Sequence, residues 1–176
     1  MTEQTERLGR LALARHEQVQ TWRLSPVVAA LQALRGVQFT VAVTTVAELG
    51  DLTRFENPRH LMNDLGLTPA EYASGGRRPQ GSRTNTGNTH ARRALVEGAW
   101  AYRYPANVSQ HLQLRLEKLP KAIQAISWKA QVRLCKRSRQ LMAKGKHAHQ
   151  VVVAIARAFS AFLWAIAKQV TVPPKA

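Results

Sequence analysis

The chain has 176 residues, enough for one hydrophobic core of ordinary size, and 45% of them are apolar, as in a globular protein. It carries 26 Lys and Arg against 10 Asp and Glu, and this excess of positive charge indicates a polyanionic partner. A single cysteine excludes an internal disulfide and a cysteine-rich metal site, and the polar start MTEQTERLGR has no apolar signal-peptide segment. A reducing cytoplasm is therefore the expected compartment.

The positive charge lies almost entirely in the second part of the chain. Residues 1–71 have 7 basic and 8 acidic side chains, whereas residues 72–176 have 19 basic and only 2 acidic ones. Because a protein that neutralises phosphates releases their counterions, nucleic acid is the first choice for the partner.

Residues 3–23 are expected to form a helix. Apolar side chains fall on a heptad seam along it, at Leu8, Ala12, Val19 and Trp22. This seam is too thin to stabilise an isolated helix, so the helix needs a partner, either the rest of the chain or a second copy.

Two short helices joined by a glycine-containing turn come next. Ser25, as N-cap before a proline, begins a helix over 26–34, and a second helix covers 39–49. This pattern is typical of a helix-hairpin-helix, in which the turn at Gly36 would offer backbone N–H groups to a phosphate. Gln38 stands where that motif usually has its second glycine, so an ordinary helical corner fits at least as well.

The rest of the chain is predicted to be helical except around residues 72–88. The further helices are expected over 57–64, 89–104, 107–118, 120–143 and 147–170. Asn57 and Thr89 are the expected N-caps of the first two. The last one is apolar enough to approach a membrane span, but Arg157 near its centre favours a buried core helix, and no membrane association is expected.

The segment 72–93, YASGGRRPQGSRTNTGNTHARR, differs from its surroundings. Its glycines exclude a regular helix, since each costs about 1 kcal/mol there, and they let another backbone approach closely. We expect an exposed loop or a short ribbon. Its five arginines suit phosphate oxygens, although a solvated basic loop is an equal interpretation of these residues alone.

Metal chemistry and the common catalytic motifs fit this sequence poorly. The histidines are scattered, and the acidic residues between 48 and 64 are spread over helix ends and loops, which does not suit magnesium. His90 has no orienting acid with which to form a triad with Ser74. Ser74 is the one attractive nucleophile, because neighbouring arginines could stabilise a pentacovalent phosphoryl group. From the residue pattern alone, a simple turn serine is the favoured alternative.

A resemblance to a known family covers nearly the whole chain. The sequence contains, in this order, LQALRGVQFTVAVTTVAELGDLTRF, LMNDLGLTPAEYASGG and GSRTNTGNTHARRALVEGAWAYR. These stretches resemble the C-terminal transposase domain of the RNA-bridged serine recombinases of bacterial insertion sequences. The run WKAQVRLCKRSRQLMAKGKHAHQVVVAIARAFSAFLWAIA is similar to the closing helices of that family.

The resemblance implies DNA transposition. The catalytic serine of the family precedes the glycine of an SG motif, here Ser74-Gly75, and would attack DNA to form a covalent phosphoserine link. Its active site would be completed by an RNase-H-like DEDD domain with acidic residues and magnesium. This chain alone is therefore expected to bind no cofactor, and Mg²⁺ only together with a DEDD domain. The expected partners are DNA, a guiding RNA, and either further copies of the chain or a DEDD-containing partner.

The chain departs from the family in starting where the helix after the DEDD domain should stand. We expect a mostly α-helical protein with a coiled-coil-like connecting helix at 1–24, a transposase C-terminal domain at 25–170, and a disordered tail at 171–176. Within the domain we expect the helix-hairpin-helix-like corner and the Gly/Arg-rich loop or short ribbon.

The function predicted from the sequence is that of the DNA-binding, serine-bearing half of an insertion-sequence transposase, inactive in recombination alone. The alternative is a non-catalytic basic nucleic-acid-binding module or regulator. The residues expected to contact nucleic acid are Gly36, Gly75, Gly76, Arg77, Arg78, Arg83, Asn88, Arg92, Arg93, Arg137, Lys144 and Lys146.

Overall fold

A computed structural model describes residues 3–71, 80–84 and 86–173. In this part of the chain the α-helices are α1 (Glu3–Gln20), α2 (Ser25–Leu31), α3 (Phe39–Leu49), α4 (Pro58–Asp64), α5 (Thr89–Ala99), α6 (Gln110–Leu116), α7 (Lys121–Ala143) and α8 (Ala148–Ala167). Two short strands are β1 (Pro69–Glu71) and β2 (Gln80–Arg83), and 3₁₀ turns cover Leu52–Arg54 and Trp100–Arg103. The prediction of a mostly α-helical fold is confirmed.

Helix α8 is the centre of the core. It packs against α2, α4, α5 and α7, and its buried side chains include Ile155, Phe159, Leu163 and Ile166. The helix is long and apolar enough to cross a membrane by length and composition, with a mean hydropathy of 1.8, but 56% of its most apolar window is buried inside the protein. Its apolar face is thus covered by other helices, as expected of a core helix.

Side chains cap the starts of α4, α5, α6 and α8, with two corrections to the sequence prediction. Asn57 caps α4 as predicted, its side chain accepting from the N–H groups of Arg59 and His60. Asn88 caps α5 instead of Thr89, because its Oδ1 accepts from the N–H of Ala91 at 2.9 Å. The prediction that Ser25 is an N-cap is wrong: it is already helical, and Leu24 precedes α2 without a side-chain cap.

The corner between α2 and α3 packs directly onto α5. Gly36 has a φ of +83°, and a Cβ atom there would lie 2.1 Å from the carbonyl oxygen of Gly98. Both the backbone conformation and the close approach therefore require glycine at position 36. In addition, Arg35 Nη1 donates to the carbonyl of Pro105 at 2.7 Å, which fixes the same corner from its other side.

Helix α1 has an almost bare surface. The side chains from Gln4 to Gln18 are exposed, with Leu8 67% and Leu11 59% exposed. Only its end is attached, where Val19 is buried and His16 stacks on Phe39 with ring centroids 3.8 Å apart. The part of the chain that the structure describes therefore leaves the first half of the predicted seam, Leu8 and Ala12, uncovered, while Val19 and Trp22 pack against the core.

Candidate nucleic-acid interface

The ribbon of β1 and β2 leads into residues 72–79, which lie outside the described residues. Its strands are antiparallel, with Pro69 opposite Arg83 and Glu71 opposite Gln80. The N–H of Thr84 donates to the carbonyl of Thr68 at 3.0 Å and continues the pairing towards the core. A short ribbon in this region, one of the two predicted forms, is thus confirmed for the residues described.

Glycines join the chain after the ribbon closely to the end of α4. A Cβ atom on Gly87 would lie 1.9 Å from the carbonyl oxygen of Asp64, and one on Gly66 would lie 2.0 Å from that of Thr86. Both glycines have positive φ, and the N–H of Asn88 donates to the Asp64 carbonyl at 3.1 Å. The segments before and after the ribbon are therefore held tightly together at the end of α4.

Arg92 lies under this junction. It is only 7% exposed, and its Nη1 donates to the carbonyl of Leu65 at 2.9 Å and to that of Thr86 at 2.8 Å. Charged donors to buried carbonyls are among the stronger hydrogen bonds in proteins. The structure therefore uses this predicted phosphate ligand to hold the end of α4 to the segment before α5.

Two neighbouring residues from the predicted set have different surroundings. Besides capping α5, Asn88 donates from Nδ2 to Oε2 of Glu48 at 2.8 Å, so its side chain is engaged on both sides. Arg93 lies on the outer face of α5, where its side chain is 83% exposed and pairs with Glu97 at 3.0 Å. Because an exposed pair of this kind contributes little energy, Arg93 can exchange its partner for a phosphate.

A cleft of about 200 Å³ lies beside the start of the ribbon. Leu67 and Pro69 form one part of its wall, and helices α7 and α8 contribute Arg137, Gln150 and Arg157. Arg137 is exposed and Arg157 is half-buried. Neither guanidinium forms an ion pair or donates to a carbonyl group within residues 3–71, 80–84 and 86–173. Two cations thus line one cleft, and no described residue supplies a counter-charge to them.

A short stretch of chain connects the wall of the cleft to position 74. Ser74 follows Pro69 by five residues, and a fully extended chain spans at most about 3.6 Å per residue, or about 18 Å in all. Connectivity alone therefore limits how far the predicted nucleophile can be from the two arginines.

Helices α7 and α8 give this side of the protein an uncompensated charge. No Asp or Glu occurs in the sequence after Glu117. The exposed basic residues of α7 and the turn that follows it are Lys121, Lys129, Arg133, Lys136, Arg137, Arg139, Lys144 and Lys146. A surface of one sign, together with an uncompensated cleft, is what a phosphate backbone requires.

The remaining predicted residues are placed as follows. Gly36 is at the α2–α3 corner, packed on Gly98, and Lys144 and Lys146 flank the exposed turn between α7 and α8. Arg83 belongs to β2, where only its backbone is described. The candidates that lie outside the described residues are Ser74, Gly75, Gly76, Arg77 and Arg78.

The carboxylates that the structure describes do not suit magnesium. Within those residues no three His, Cys, Asp or Glu side chains come together. Glu48 bonds to Asn88, Asp64 is 4.0 Å from Arg54, and Asp51 accepts from the N–H and hydroxyl of Thr53. Burial raises the pKa of Asp51, but the two Thr53 bonds outweigh it with help from nearby cations, so the pKa is lowered. These acids are used singly in holding the fold.

Arg157 is the candidate that reasoning from sequence missed. In the sequence it is a charge that argues against a membrane span, whereas in the structure it is half-buried beside the ribbon. The available signal was a lone arginine in an otherwise apolar helix. Because burying an unpaired charge is costly, such a residue marks a position where an anion could bind.

Known proteins resemble this chain over a region that includes the α2–α3 corner, the ribbon and α5. Residues 28–113 match the family model described as Transposase IS116/IS110/IS902 family. The chain is 46% identical over 153 residues to the putative transposase y4qE of Sinorhizobium fredii, covering 87% of this chain and 39% of that protein. It is 30% identical over 90 residues to the transposase for insertion sequence element IS1111A of Coxiella burnetii, covering 51% of this chain and 25% of that protein.

The chain thus spans about two fifths of the first relative and a quarter of the second. The matched region begins within α2 and ends within α6, and it includes the corner at Gly36, the ribbon and α5. Residues 28–113 are therefore similar to the transposase domain of the IS116/IS110/IS902 family.

Proposed function

We propose that this chain supplies the DNA-binding, serine-bearing part of an insertion-sequence transposase. The observation that carries the proposal is the cleft with two unpaired arginines, Arg137 and Arg157, at the root of the ribbon that leads to residue 74. Guanidinium groups suit phosphate oxygens, and no acid is among the described residues that line this cleft. The family match over residues 28–113 supports the same role.

In the proposed chemistry, the Ser74 hydroxyl attacks a phosphorus atom of the DNA backbone. A bond from Ser74 Oγ to phosphorus forms, one ester bond from phosphorus to a sugar oxygen breaks, and the serine proton ends on that leaving oxygen. The guanidinium groups of Arg137 and Arg157 would hold the phosphate and balance the charge that develops on its oxygens. Chain connectivity permits this placement, because residue 74 is tethered to the wall of the cleft.

The acidic residues and the metal of the resemblance would come from a DEDD domain. Three described carboxylates, those of Glu48, Asp51 and Asp64, support that division, because each has a separate partner within the chain. A DEDD domain on the same or another polypeptide would supply magnesium chemistry at the assembled site. We also propose a guiding RNA as a second polyanion on the basic face of α7.

Exposed leucines support association through α1. Leu8 and Leu11 are 67% and 59% exposed and lie on one side of α1, in which Val19 is the one buried residue among the described side chains. Pairing of two such helices would bury this apolar surface, as in a coiled coil. We infer that α1 is the place where copies of the chain, or a DEDD-containing partner, are joined.

The cleft is tested by measuring DNA affinity against salt concentration. Arg157→Gln and Arg137→Gln should each weaken binding to an element-end duplex and reduce the slope of log affinity against log salt by about 0.9, because each removes about one phosphate contact. Arg10→Gln is the matched control: Arg10 is exposed on α1, away from the cleft, and its loss should leave the slope unchanged. Equal effects of all three substitutions would contradict the proposal that Arg137 and Arg157 form a phosphate-binding site.

The serine is tested with a supplied DEDD domain, DNA and guide RNA. A covalent protein–DNA adduct on a denaturing gel should form with the unmodified chain and be lost with Ser74→Ala, while duplex affinity stays the same. An adduct that persists in Ser74→Ala would exclude this nucleophile. DNA binding without any adduct would favour the alternative, a non-catalytic nucleic-acid-binding module or regulator.

A further inference from the structure

A second pocket, of about 430 Å³, lies where the Trp100–Arg103 turn meets the end of α7 and the start of α8. Trp100 and Tyr104 form an aromatic wall of this pocket, and Met142 adds a flexible apolar side chain that is 49% exposed. Pockets of this size and lining accommodate small-molecule groups, with a few polar atoms fixing the orientation. The pocket is separate from the proposed phosphate-binding cleft of Arg137 and Arg157.

The aromatic wall is combined with positive charge. The guanidinium carbon of Arg103 lies 4.6 Å from the ring centroid of Tyr104 and 5.9 Å from that of Trp100. Arg103 Nη2 also donates to the Tyr104 hydroxyl, which holds the two side chains together. Arg139 lines the pocket as well, and neither arginine forms an ion pair with the residues that the structure describes.

A hydroxyl group lines the same space. Ser138 is a lining residue of the pocket and is only 3% exposed as a whole residue. A serine hydroxyl can both donate and accept a hydrogen bond. A ligand with ring nitrogen or exocyclic oxygen atoms could form a hydrogen bond with it.

We propose that this pocket receives one unpaired nucleobase of a bound nucleic-acid strand. Its ring would stack on the Tyr104 and Trp100 walls, and Arg103 and Arg139 would meet the phosphates on either side of it. An apolar side chain of a partner protein would fit the aromatic wall but would leave both arginines without a counter-charge. A nucleotide provides both a ring that stacks on the aromatic wall and phosphates that pair with the arginines. Proteins that bind unpaired or flipped-out bases recognise them by such stacking.

The inference rests on the proposed nucleic-acid binding, and its test separates the two. The probe is 2-aminopurine, a fluorescent adenine analogue, placed at one position of a single DNA strand, a single RNA strand or a fully paired DNA duplex. Fluorescence intensity reports stacking of the probe, and anisotropy reports binding. The unmodified chain should bind the single strand with a change in probe fluorescence that the duplex does not show, and an abasic site at that position should weaken its binding.

Tyr104 provides the decisive substitution because it is 51% exposed and its removal should not disturb the core. Tyr104→Ala should weaken single-strand binding by about 5- to 100-fold, the usual effect of losing a stacked aromatic ring, and change duplex binding less than about twofold. Tyr104→Phe keeps the ring and should bind like the unmodified chain. Trp128→Ala, which removes an equally exposed aromatic outside the pocket, should change neither affinity.

The outcomes separate the two proposals. Equal losses on duplex and single strand in Tyr104→Ala, or an effect of Trp128→Ala as large as that of Tyr104→Ala, would overturn the base pocket and leave DNA binding standing. Binding of all strands with no effect of the abasic site would overturn it as well. A protein that binds none of the probes would refute nucleic-acid binding and the pocket together. A preference between the DNA and RNA strands would identify the source of the base.

Discussion

Arg92 and Arg93 are adjacent in the sequence and have opposite surroundings, so replacing each of them is a sharp test of the structure. Arg92 is 7% exposed and its Nη1 donates to two backbone carbonyls, whereas the Arg93 side chain is 83% exposed and pairs only with Glu97. From the sequence, both are candidate phosphate ligands at the start of α5. The structure instead predicts that one contributes to stability and the other to DNA binding.

The magnitude for Arg92→Met follows from its hydrogen bonds. A hydrogen bond from a charged donor contributes about 1.5–3 kcal/mol, and two carbonyls lose such a donor, although one nitrogen serves both. Methionine keeps most of the aliphatic volume, so the cavity left behind is small. We expect a loss of about 2–4 kcal/mol in the free energy of unfolding, which lowers Tm by roughly 5–15 °C in a chain of this size.

Thermal unfolding followed by circular dichroism measures the first effect, and DNA affinity against salt measures the second. Arg93→Met should change stability by less than about 0.5 kcal/mol and reduce the salt slope by about 0.9. Arg92→Met should lower Tm and, below its own Tm, keep the salt slope. If Arg92→Met instead leaves Tm unchanged and reduces the salt slope, the Arg92 guanidinium contacts the nucleic acid. Its hydrogen bonds to the carbonyls of Leu65 and Thr86 would then not hold the ribbon to the core.

Two further predictions concern the backbone and the acid range. In chemical denaturation, Gly36→Ala should lower the free energy of unfolding by at least about 2 kcal/mol more than Gly145→Ala. Both glycines have positive φ, but a Cβ atom at position 36 would lie 2.1 Å from the Gly98 carbonyl oxygen, whereas nothing lies within 4 Å of one at position 145. Equal losses of stability would contradict the close packing at Gly36. The lowered pKa of Asp51 contributes stability that is present above the pKa of an unfolded aspartate, about 3.9, and is lost as pH falls through the folded value. Unfolding free energies of the unmodified chain and Asp51→Asn should therefore converge between about pH 5 and pH 2, and parallel curves would show that this carboxylate does not carry the effect.

The parts of the fold that local signals specify were predictable from the sequence. Helix α3 was predicted with its observed bounds, 39–49, and α7 within one residue, because turn glycines and a proline mark their ends. The region 89–104 was predicted as one helix, yet α5 ends at Ala99 and continues as a 3₁₀ turn. Asn88 and Thr89 are both good caps, and the sequence alone does not choose between neighbours.

Contacts between distant segments were not predictable. Arg92 bonds to Leu65, which is 27 residues away, and Gly36 meets Gly98, so neither role leaves a local pattern in the sequence. Both residues were therefore assigned to nucleic acid, since cations and glycines of a turn also suit phosphates. The nearness of Arg157 to the ribbon is likewise a tertiary fact, because α8 follows the ribbon by more than sixty residues.

The division of the arginines shows how far net charge can be used as evidence for a nucleic-acid surface. Arg23, Arg35, Arg92 and Arg115 each donate to a main-chain carbonyl, and three of these bonds tie segments 70 or more residues apart. Such arginines raise the charge of the chain while serving its folding. Arg137 and Arg157 have no such partner among the described residues, so their N–H groups remain available to an anion that enters the cleft. The interface is therefore located by the unpaired cations, and the basic composition only indicates that one exists.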